Sequence, residues 1–392
     1  MNVLAARVDR REPELENRAG YDVWLLVITL CLCICGAIFV MTSSATHSWQ
    51  SHDGNSLAIF WSHLGRLGWG LACMLILSFV DYHVFARLSR PLIIFSVGLL
   101  IAVYFVPQAP GATAKRWISL FGFSFQPAEL AKYALIAYLA VRFAQLRQDA
   151  FAADPSLTYR GAWIITGIIL ALVAPEKNLS MAALIFGSVT MMFFLSGVRL
   201  KPLLIPVAAS VVLLGLLAWV TPYMRVRLTS FFNGIFDPMQ ASYHVKQSLV
   251  GLGQGGIAGM GLGGSTQKHF FLPEPFKDFI FSIVGEELGI FGAAALLLVF
   301  LAFFSRAWRI SRDAPDNFGY YLGMGITCTI GLSLFVNVGV TLGLLPPTGQ
   351  PLPFISYGGS SLMMSLGAVG ILLNISKQAL RRRSYESPLL FQ

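Results

Sequence analysis

Long apolar runs separated by short polar segments constrain this chain more than any other feature. A run of about 18 or more apolar residues can cross the hydrocarbon core of a bilayer as a helix. Only 12% of the residues are charged, whereas a soluble domain carries about 25%. We therefore predict an all-α, polytopic integral membrane bundle with about ten transmembrane helices. The predicted spans are 23–42, 63–80, 91–107, 125–142, 161–175, 179–198, 202–221, 279–304, 318–344 and 357–375.

The basic residues predict the orientation of these spans. An even number of spans puts both termini on one side of the membrane, and most of the 28 Lys and Arg residues fall on that side. Because Lys and Arg accumulate in cytoplasmic loops, we predict an N-in, C-in topology. The expected organisation is a cytoplasmic tail at 1–22, a single transmembrane domain at 23–376 and a cytoplasmic tail at 377–392.

The net charge of +9 raises the question of a nucleic-acid partner. The basic residues do not form one extended surface along the sequence but sit in short clusters between apolar runs, as membrane topology requires. We therefore expect no nucleic acid among the partners.

The segment between the seventh and eighth spans, 222–278, forms a large extracytoplasmic loop in this topology. Structureless loops of this length are uncommon and tend to be functional, so we expect short amphipathic or re-entrant elements within it. Its glycine-rich run, 251–264, could wrap a phosphate through backbone N–H groups, allow close helix packing or act as a flexible hinge. No Gly-Lys-Ser/Thr ending follows, so the run does not indicate a nucleotide-binding loop.

Ionisable residues inside or beside membrane spans are costly and are functional candidates. Glu129 and Lys132 lie three residues apart, so they share a helix face and can pair. A structural ion pair and a role at a substrate site are both open and are compatible. Arg116 and Trp117 precede them on the outer side, where they form either an interfacial belt or an anion site for a lipid phosphate.

Asp278 lies where the outer loop meets the eighth span, near Lys268 and Lys277. One alternative for its role is a helix N-cap. The other is a general base at the membrane–water boundary, placed to deprotonate a hydroxyl group of a lipid-linked substrate. Glu286 and Glu287 follow about two turns further on, and we expect one to pack against neighbouring helices and the other to face the cavity.

Three segments resemble the signature blocks of the SEDS proteins (shape, elongation, division and sporulation). They are FQPAELAK at 125–132, STQKHFFLPEPFKDFIFSIVGEELG at 265–289 and NVGVTLGLLPPTGQPLPFISYGGSS at 337–361. The last block is highly specific to that family. The resemblance extends over nearly the whole chain, from Met41 to Ile375.

The resemblance implies ten transmembrane helices in the cytoplasmic (inner) membrane of a bacterium and peptidoglycan glycosyltransferase activity. The implied substrate is lipid II, the undecaprenyl-diphosphate-linked disaccharide peptide, polymerised into glycan strands on the outer face. The implied partners are a class B penicillin-binding protein and other membrane proteins of the divisome or elongasome. The segments 265–274 and 370–376 are more similar to the division branch, which predicts septal wall synthesis. An elongation-type polymerase and, less favoured, a lipid II flippase are the alternatives.

The resemblance also assigns roles to individual residues. The family's essential aspartate falls on Asp278, the candidate catalytic base. The candidate substrate-binding residues are Arg116, Trp117, Glu129, Lys132, Lys268 and Glu274. No metal ligands are assigned and no organic cofactor is expected, while a divalent cation, Mg²⁺ or Mn²⁺, stays open.

Two positions depart from the family pattern. Lys277 stands where the family often has Thr. We expect this cation to lower the pKa of Asp278, which would weaken the base unless burial offsets the effect. Glu176 occupies the acidic position after the fifth span, but the glycine that usually accompanies it is absent, so its role is left open.

Overall fold

The computed structural model describes residues 20–106, 115–120, 123–148, 155–176, 178–197, 200–269 and 271–386. Within them, the helices are α1 (Val23–Ser51), α2 (Ala58–Phe79), α3 (His83–Ala102), α4 (Pro127–Gln148), α5 (Pro155–Val173), α6 (Leu179–Leu195), α7 (Leu200–Val220), α8 (Pro222–Phe236), α9 (Tyr243–Gly255), α10 (Pro275–Asp278), α11 (Ile280–Arg312), α12 (Asn317–Thr341) and α13 (Gly359–Glu386). Two single 3₁₀ turns, Ala174–Glu176 and Pro238–Gln240, and an antiparallel hairpin of β1 (Ile118–Leu120) and β2 (Phe123–Phe125) complete the described elements.

Each of the ten predicted spans overlaps one long helix, which confirms the all-α bundle. In the described part of the chain, seven helices are long and apolar enough to cross a membrane. They are α1, α2, α3, α5 with its 3₁₀ extension, α11, α12 and α13, and α6 is a shorter apolar helix. Neither α4, which carries a buried ion pair, nor α7 is among them. The count of ten and the orientation stay predictions.

Helix boundaries differ from the apolar runs where polar residues continue a helix. The third span was expected to begin at Pro91, but α3 begins at His83 and continues through that proline. Tyr82, just before the helix, donates its backbone N–H to Asn374 Oδ1 at 3.0 Å. Hydropathy marks the segment suited to lipid, whereas the helix also includes the polar turn that docks against α13.

Glycines allow backbone segments of the bundle to approach one another closely. A Cβ added to Gly370 in α13 would lie 2.3 Å from the carbonyl oxygen of Met74 in α2. A Cβ added to Gly36 in α1 would lie 2.7 Å from the Ile355 Cα. Small residues at such crossings allow the van der Waals packing on which helix association in lipid depends.

The glycine-rich run packs against an interruption in α11. Gly289 has a φ of 68°, and the helical pattern breaks there. Backbone N–H groups of Met260 and Gly261 donate to the carbonyl oxygens of Glu286 and Glu287 at 3.0 and 2.9 Å. Irregular backbone at membrane depth is tolerated when its polar groups are satisfied by protein. Of the alternatives for this run, the structure therefore shows close packing.

The large loop contains short helices, as expected. Helices α8 and α9 fill its first half, and α9 packs against α11 and α12. The four-residue helix α10 ends the loop and leads into α11. This arrangement places Asp278 beside the N-terminal end of the longest described helix.

Candidate active site

A cavity of about 790 Å³ lies where α10, the hairpin, the loop before α13 and the beginnings of α4 and α13 meet. We call it the Asp278 cavity. Its volume falls within the usual range for small-molecule sites. Five sequence candidates line it, namely Asp278, Glu274, Arg116, Trp117 and Glu129. The cavity therefore gathers candidates that are up to 162 positions apart in the sequence.

The signature block 337–361 fixes the position of Asp278. Asn337 donates its side-chain amide to the carbonyl oxygen of Asp278 at 2.9 Å and to that of Gln350 at 2.7 Å. Gly349, with a φ of 71°, faces the carboxylate, and a Cβ there would lie 3.2 Å from Asp278 Oδ2. Any larger residue would crowd the carboxylate, so this glycine leaves space in front of it.

The carboxyl group of Asp278 is poised to accept a proton. Burial raises its pKa to about 6, and the nearby carboxylate of Glu274 raises it as well. The positive charges of Lys277, Arg116 and Arg227 lower it, but they do not cancel the effect of burial. Lys277 thus lowers the pKa of Asp278 as expected, but burial raises that pKa by more.

The N-cap alternative for Asp278 is not observed. Phe279 occupies the N-cap position of α11, and no side chain makes a capping hydrogen bond there. In the described ranges, no donor forms a hydrogen bond with the Asp278 carboxylate. The carboxylate is therefore available to a substrate hydroxyl group.

Glu129 and Lys132 form the predicted pair near the beginning of α4. Lys132 Nζ lies 2.7 Å from Glu129 Oε2, and both side chains are buried. Glu129 lines the Asp278 cavity, whereas Lys132 lies behind it. The structural role expected for this pair is observed, and only the glutamate is placed to meet a substrate.

The hairpin brings Arg116 and Trp117 to the cavity. Ile118 pairs with Phe125 in this hairpin, so the residue that follows Trp117 lies next to the residues that lead into α4. Trp117 is 39% exposed and lines the cavity. The charge of Arg116 acts on the carboxyl group of Asp278, lowering its pKa. This geometry favours the anion-site alternative for Arg116 over a purely interfacial one.

Lys268 lies in a second polar cluster, which we call the loop clamp and define as Ser265, Thr266, Lys268, Glu286 and Glu287. Glu286 accepts hydrogen bonds from the Ser265 hydroxyl at 2.5 Å and from the Thr266 N–H at 2.7 Å. Lys268 Nζ donates to the Gly263 carbonyl and lies 3.8 Å from Glu287 Oε1.

None of the loop-clamp residues lines the Asp278 cavity. The expectation that Glu286 or Glu287 faces the cavity is therefore wrong, because both carboxylates are fully buried in contacts with the outer loop or α1. Spacing along α11 could not reveal this, since the contacts come from a loop folded back onto the helix.

The cavity residues that the sequence assignment of the site left out include Arg66, Gln350 and Tyr357. Arg66 stands inside an apolar run, which is itself a signal of function. Gln350 and Tyr357 lie within the signature block, but their residue types gave no separate signal. Glu176 is buried, and neither carboxylate oxygen has a hydrogen-bond partner among the residues described.

The described residues contain no group of three or more His, Cys, Asp or Glu side chains arranged to hold a metal ion. The Asp278 cavity does hold two acidic side chains near each other, Glu274 and Asp278. Such a pair meets part of the coordination that Mg²⁺ takes from protein, the rest coming from water and substrate phosphates.

Comparison with known proteins gives matches over nearly the whole chain. Residues 23–381 match the model of the FtsW/RodA/SpoVE family, described as cell cycle proteins. A probable peptidoglycan glycosyltransferase FtsW of Geobacter sp. (strain M18) is 37% identical over 363 residues, which cover 91% of this chain and 97% of the relative. Stage V sporulation protein E of Bacillus subtilis (strain 168) is 35% identical over 370 residues, covering 92% and 98%.

A solved structure gives the same result for the fold. Its subject is the structural coordination of polymerization and crosslinking by a peptidoglycan synthase complex. One of its chains superimposes with a TM-score of 0.73 at 26% identity, covering 91% of this chain and 98% of that one. The fold of this chain is therefore shared with that solved chain.

Proposed function

This chain belongs to the FtsW/RodA/SpoVE family of cell cycle proteins, and from that premise we propose the reaction carried out in the Asp278 cavity. The protein is a multi-pass membrane enzyme, a peptidoglycan glycosyltransferase of the septal type. Its substrate is lipid II, and its product is a glycan strand on the outer face of the cytoplasmic membrane.

The reaction is an inverting glycosyl transfer. Asp278 accepts the proton of the acceptor's GlcNAc 4-hydroxyl, and that oxygen forms a bond to C1 of the donor MurNAc. The bond from C1 to the diphosphate oxygen breaks on the opposite face, and undecaprenyl diphosphate leaves with the bonding electron pair. The proton on Asp278 then passes to solvent.

One observation carries this proposal: the half-buried carboxyl group of Asp278 opens into the Asp278 cavity, and its pKa is raised to about 6. A general base works best when its pKa lies near the working pH, because it must be ionised and still hold a proton well. An ordinary exposed aspartate, with a pKa near 3.9, would be a weaker base.

The leaving diphosphate needs charge compensation more than it needs a proton. Arg116 and Lys277 bring fixed positive charge to the cavity. A preorganised electrostatic contact is worth about 2.7–4 kcal/mol at a transition state. Lys132 and Lys268, the other cations considered from the sequence, are held by Glu129 and by the loop clamp.

A divalent cation fits the same proposal. Glu274 would hold Mg²⁺ or Mn²⁺ and leave Asp278 free as the base, because Mg²⁺ commonly binds one or two carboxylates plus substrate phosphates. The ion would supply further positive charge opposite the leaving group. Glu274 would then exchange its present partner, Lys277 at 2.5 Å, for the ion.

The proposed partner is a class B penicillin-binding protein, which crosslinks the strands that this enzyme makes. A solved structural neighbour comes from a complex in which polymerization and crosslinking are coordinated, which supports this pairing. Other membrane proteins of the divisome would complete the assembly.

The test is polymerisation of purified lipid II by the full-length protein, alone and with its class B penicillin-binding protein. We expect glycan strands from the wild type, and a rate lower by a factor on the order of 10²–10⁴ for Asp278→Asn, because one base is lost. Near wild-type polymerisation by folded Asp278→Asn would refute the assignment of the base.

Asp237→Asn is the matched control. Asp237 is a carboxylate of the same outer loop that caps its own turn by accepting from the Met239 N–H at 2.9 Å and does not line the cavity. This variant should polymerise lipid II like the wild type. If the wild type makes no strands but moves lipid II across vesicle membranes, the flippase alternative replaces this proposal.

A further inference from the structure

The cations that line the Asp278 cavity differ in how they are engaged. Lys277 is paired with Glu274, and the charge of Arg116 acts on the carboxyl group of Asp278. Arg66, on α2, also lines the cavity. Across the ranges that the structure describes, no carboxylate lies within ion-pair distance of its guanidinium. Arg66 is thus a cavity cation available to an anion that the described part of the protein does not supply.

The Arg66 side chain is held in a defined position without being neutralised. Its guanidinium carbon lies 4.5 Å from the centroid of the Tyr357 ring. On the other side, a Cβ added to Gly359 would lie 3.4 Å from Arg66 Cδ and 3.6 Å from Nε. A guanidinium stacked on an aromatic face keeps its in-plane N–H donors free for a carboxylate or phosphate.

The beginning of α13 adds positive potential at the same place. Helix α13 begins at Gly359, against the Arg66 side chain, and extends for 28 residues. The first N–H groups of a helix lack intrahelical partners and favour anions. Ser361 in this first turn also lines the cavity. Arg66 and the end of the helix therefore act on one region of the cavity.

Tyr357 connects this region to the catalytic base. Its N–H donates to the carbonyl oxygen of Phe276 at 2.9 Å, and the two rings meet edge to face at 5.6 Å. Phe276 lies in α10, two residues before Asp278. Tyr357 thus fixes the guanidinium and the base at set positions in one cavity.

From this geometry we infer that Arg66 binds the diphosphate of the lipid-linked donor, so that the leaving group departs toward α13 while Asp278 acts on the acceptor. An inverting displacement requires the two groups on opposite faces of C1, and the cavity supplies a cation and a base from different elements. This inference rests on the proposed function for the identity of the ligand, and it adds a substrate-binding residue to that function.

The experiment measures binding of undecaprenyl diphosphate to the full-length protein in detergent, with undecaprenol as the uncharged probe. We expect Arg66→Gln to weaken binding of the diphosphate at least tenfold and to leave undecaprenol binding unchanged. Arg66→Lys, which keeps the charge and loses the planar fork, should bind with intermediate affinity. In lipid II polymerisation, Arg66→Gln should lower kcat/KM by about 10²–10³, as for loss of one preorganised donor.

Arg225→Gln provides the matched control. Arg225 is an exposed arginine of α8, in the same outer loop, that does not line the cavity. It should bind undecaprenyl diphosphate like the wild type. Equal diphosphate affinity in the wild type, Arg66→Gln and Arg66→Lys would overturn the inference.

The two proposals fail in different ways. If the wild type polymerises lipid II and Arg66→Gln binds and polymerises equally well, the inference fails and the proposed function stands. If the wild type makes no strands yet binds undecaprenyl diphosphate through Arg66, the anion site stands and the proposed function fails. Arg66→Lys keeps the test decisive if Arg66→Gln does not fold.

Discussion

The Asp278 cavity and the loop clamp contain similar residues at neighbouring places on the chain, but they differ in how those residues are satisfied. In the loop clamp, Glu286 is fully buried and accepts hydrogen bonds from Ser265 and Thr266. In the cavity, Asp278 is buried enough to raise its pKa, yet among described residues no donor bonds to its carboxylate.

The number of hydrogen-bond donors distinguishes a carboxylate that stabilises the fold from one that can react with a substrate. A buried carboxylate that receives several donors is stabilised in its charged form and fixes the segments that supply them. A partly desolvated carboxylate without such donors is free to exchange a proton with a substrate. Burial alone therefore does not identify the candidate base, whereas the hydrogen-bond partners of each carboxylate do.

The strongest test of this comparison pairs Asp278→Asn with Glu286→Gln. Asp278→Asn should lower the rate by a factor on the order of 10²–10⁴ and leave the thermal midpoint close to that of the wild type. Glu286→Gln keeps the shape of the side chain but weakens charge-assisted hydrogen bonds, at a cost of about 1–2 kcal/mol in stability. Its rate per folded molecule should stay near wild type.

Lipid II polymerisation and thermal unfolding, measured on the same samples, distinguish the effects of the two substitutions. An equal loss of rate in both folded variants would remove the distinction.

The packing of the glycine-rich run gives a second test, on stability. A Cβ at Gly255, the last residue of α9, would lie 2.1 Å from the Gly285 carbonyl oxygen. Gly255→Ala should therefore destabilise the protein by about 1–3 kcal/mol, as overpacking does. Gly253, two residues earlier in α9, has no heavy atom within 4 Å of an added Cβ.

Gly253→Ala is the control, and it should be neutral or slightly stabilising, because Ala favours a helix over Gly by about 0.5–1 kcal/mol. Thermal unfolding in detergent measures both variants. Equal midpoints for Gly255→Ala and Gly253→Ala would show that α9 does not approach α11 as closely as described.

The pH dependence of the wild type sharpens the account of the cavity. Asp278 must be ionised to accept a proton, and burial raises its pKa from 3.8 to about 6. As the pH falls through about 6, the protonated fraction rises and kcat/KM should fall about tenfold per pH unit below that value. An activity that persists unchanged down to about pH 4, near the ordinary pKa of aspartate, would contradict the burial of the base.

Substitutions of two neighbouring residues should shift, in opposite directions, the pH at which kcat/KM falls, which we call the pH limb. These shifts are the smallest effects that we expect. The carboxylate of Glu274 raises the pKa of Asp278, so Glu274→Gln should shift the limb to lower pH. The charge of Lys277 lowers that pKa, so Lys277→Gln should shift the limb to higher pH. Rate profiles of both variants against the wild type make the comparison, and shifts in the same direction would show that neither charge acts on Asp278 as described.

Much of the fold was predictable because hydropathy and length determine which segments suit a bilayer. Each predicted span overlaps a helix, and Glu129 and Lys132 pair on one face of α4 as their spacing predicts. The errors lie at helix ends, as at His83, where polar residues extend a helix beyond its apolar part. Hydropathy contains no information on such extensions, which depend on contacts with other helices.

The candidate site was predictable in its residue types but not in its grouping. Asp278, Arg116 and Glu129 do meet in one cavity. Lys268, ten residues from Asp278, belongs to the loop clamp, while Arg66, more than 200 residues away, lines the cavity. Proximity in sequence misled because the outer loop folds back onto α11.

The sequence by itself determined that this chain forms a helical membrane bundle and that its unusual residues are carboxylates, cations and glycines near one side. Those conclusions follow from composition, period and motif, which are local properties of the chain. Only the tertiary structure decided that Asp278 keeps a partly desolvated carboxylate without donors among the described residues, whereas Glu286 accepts several hydrogen bonds. That outcome depends on the donors that other segments bring to each group, and desolvation and hydrogen bonding act through space rather than along the sequence.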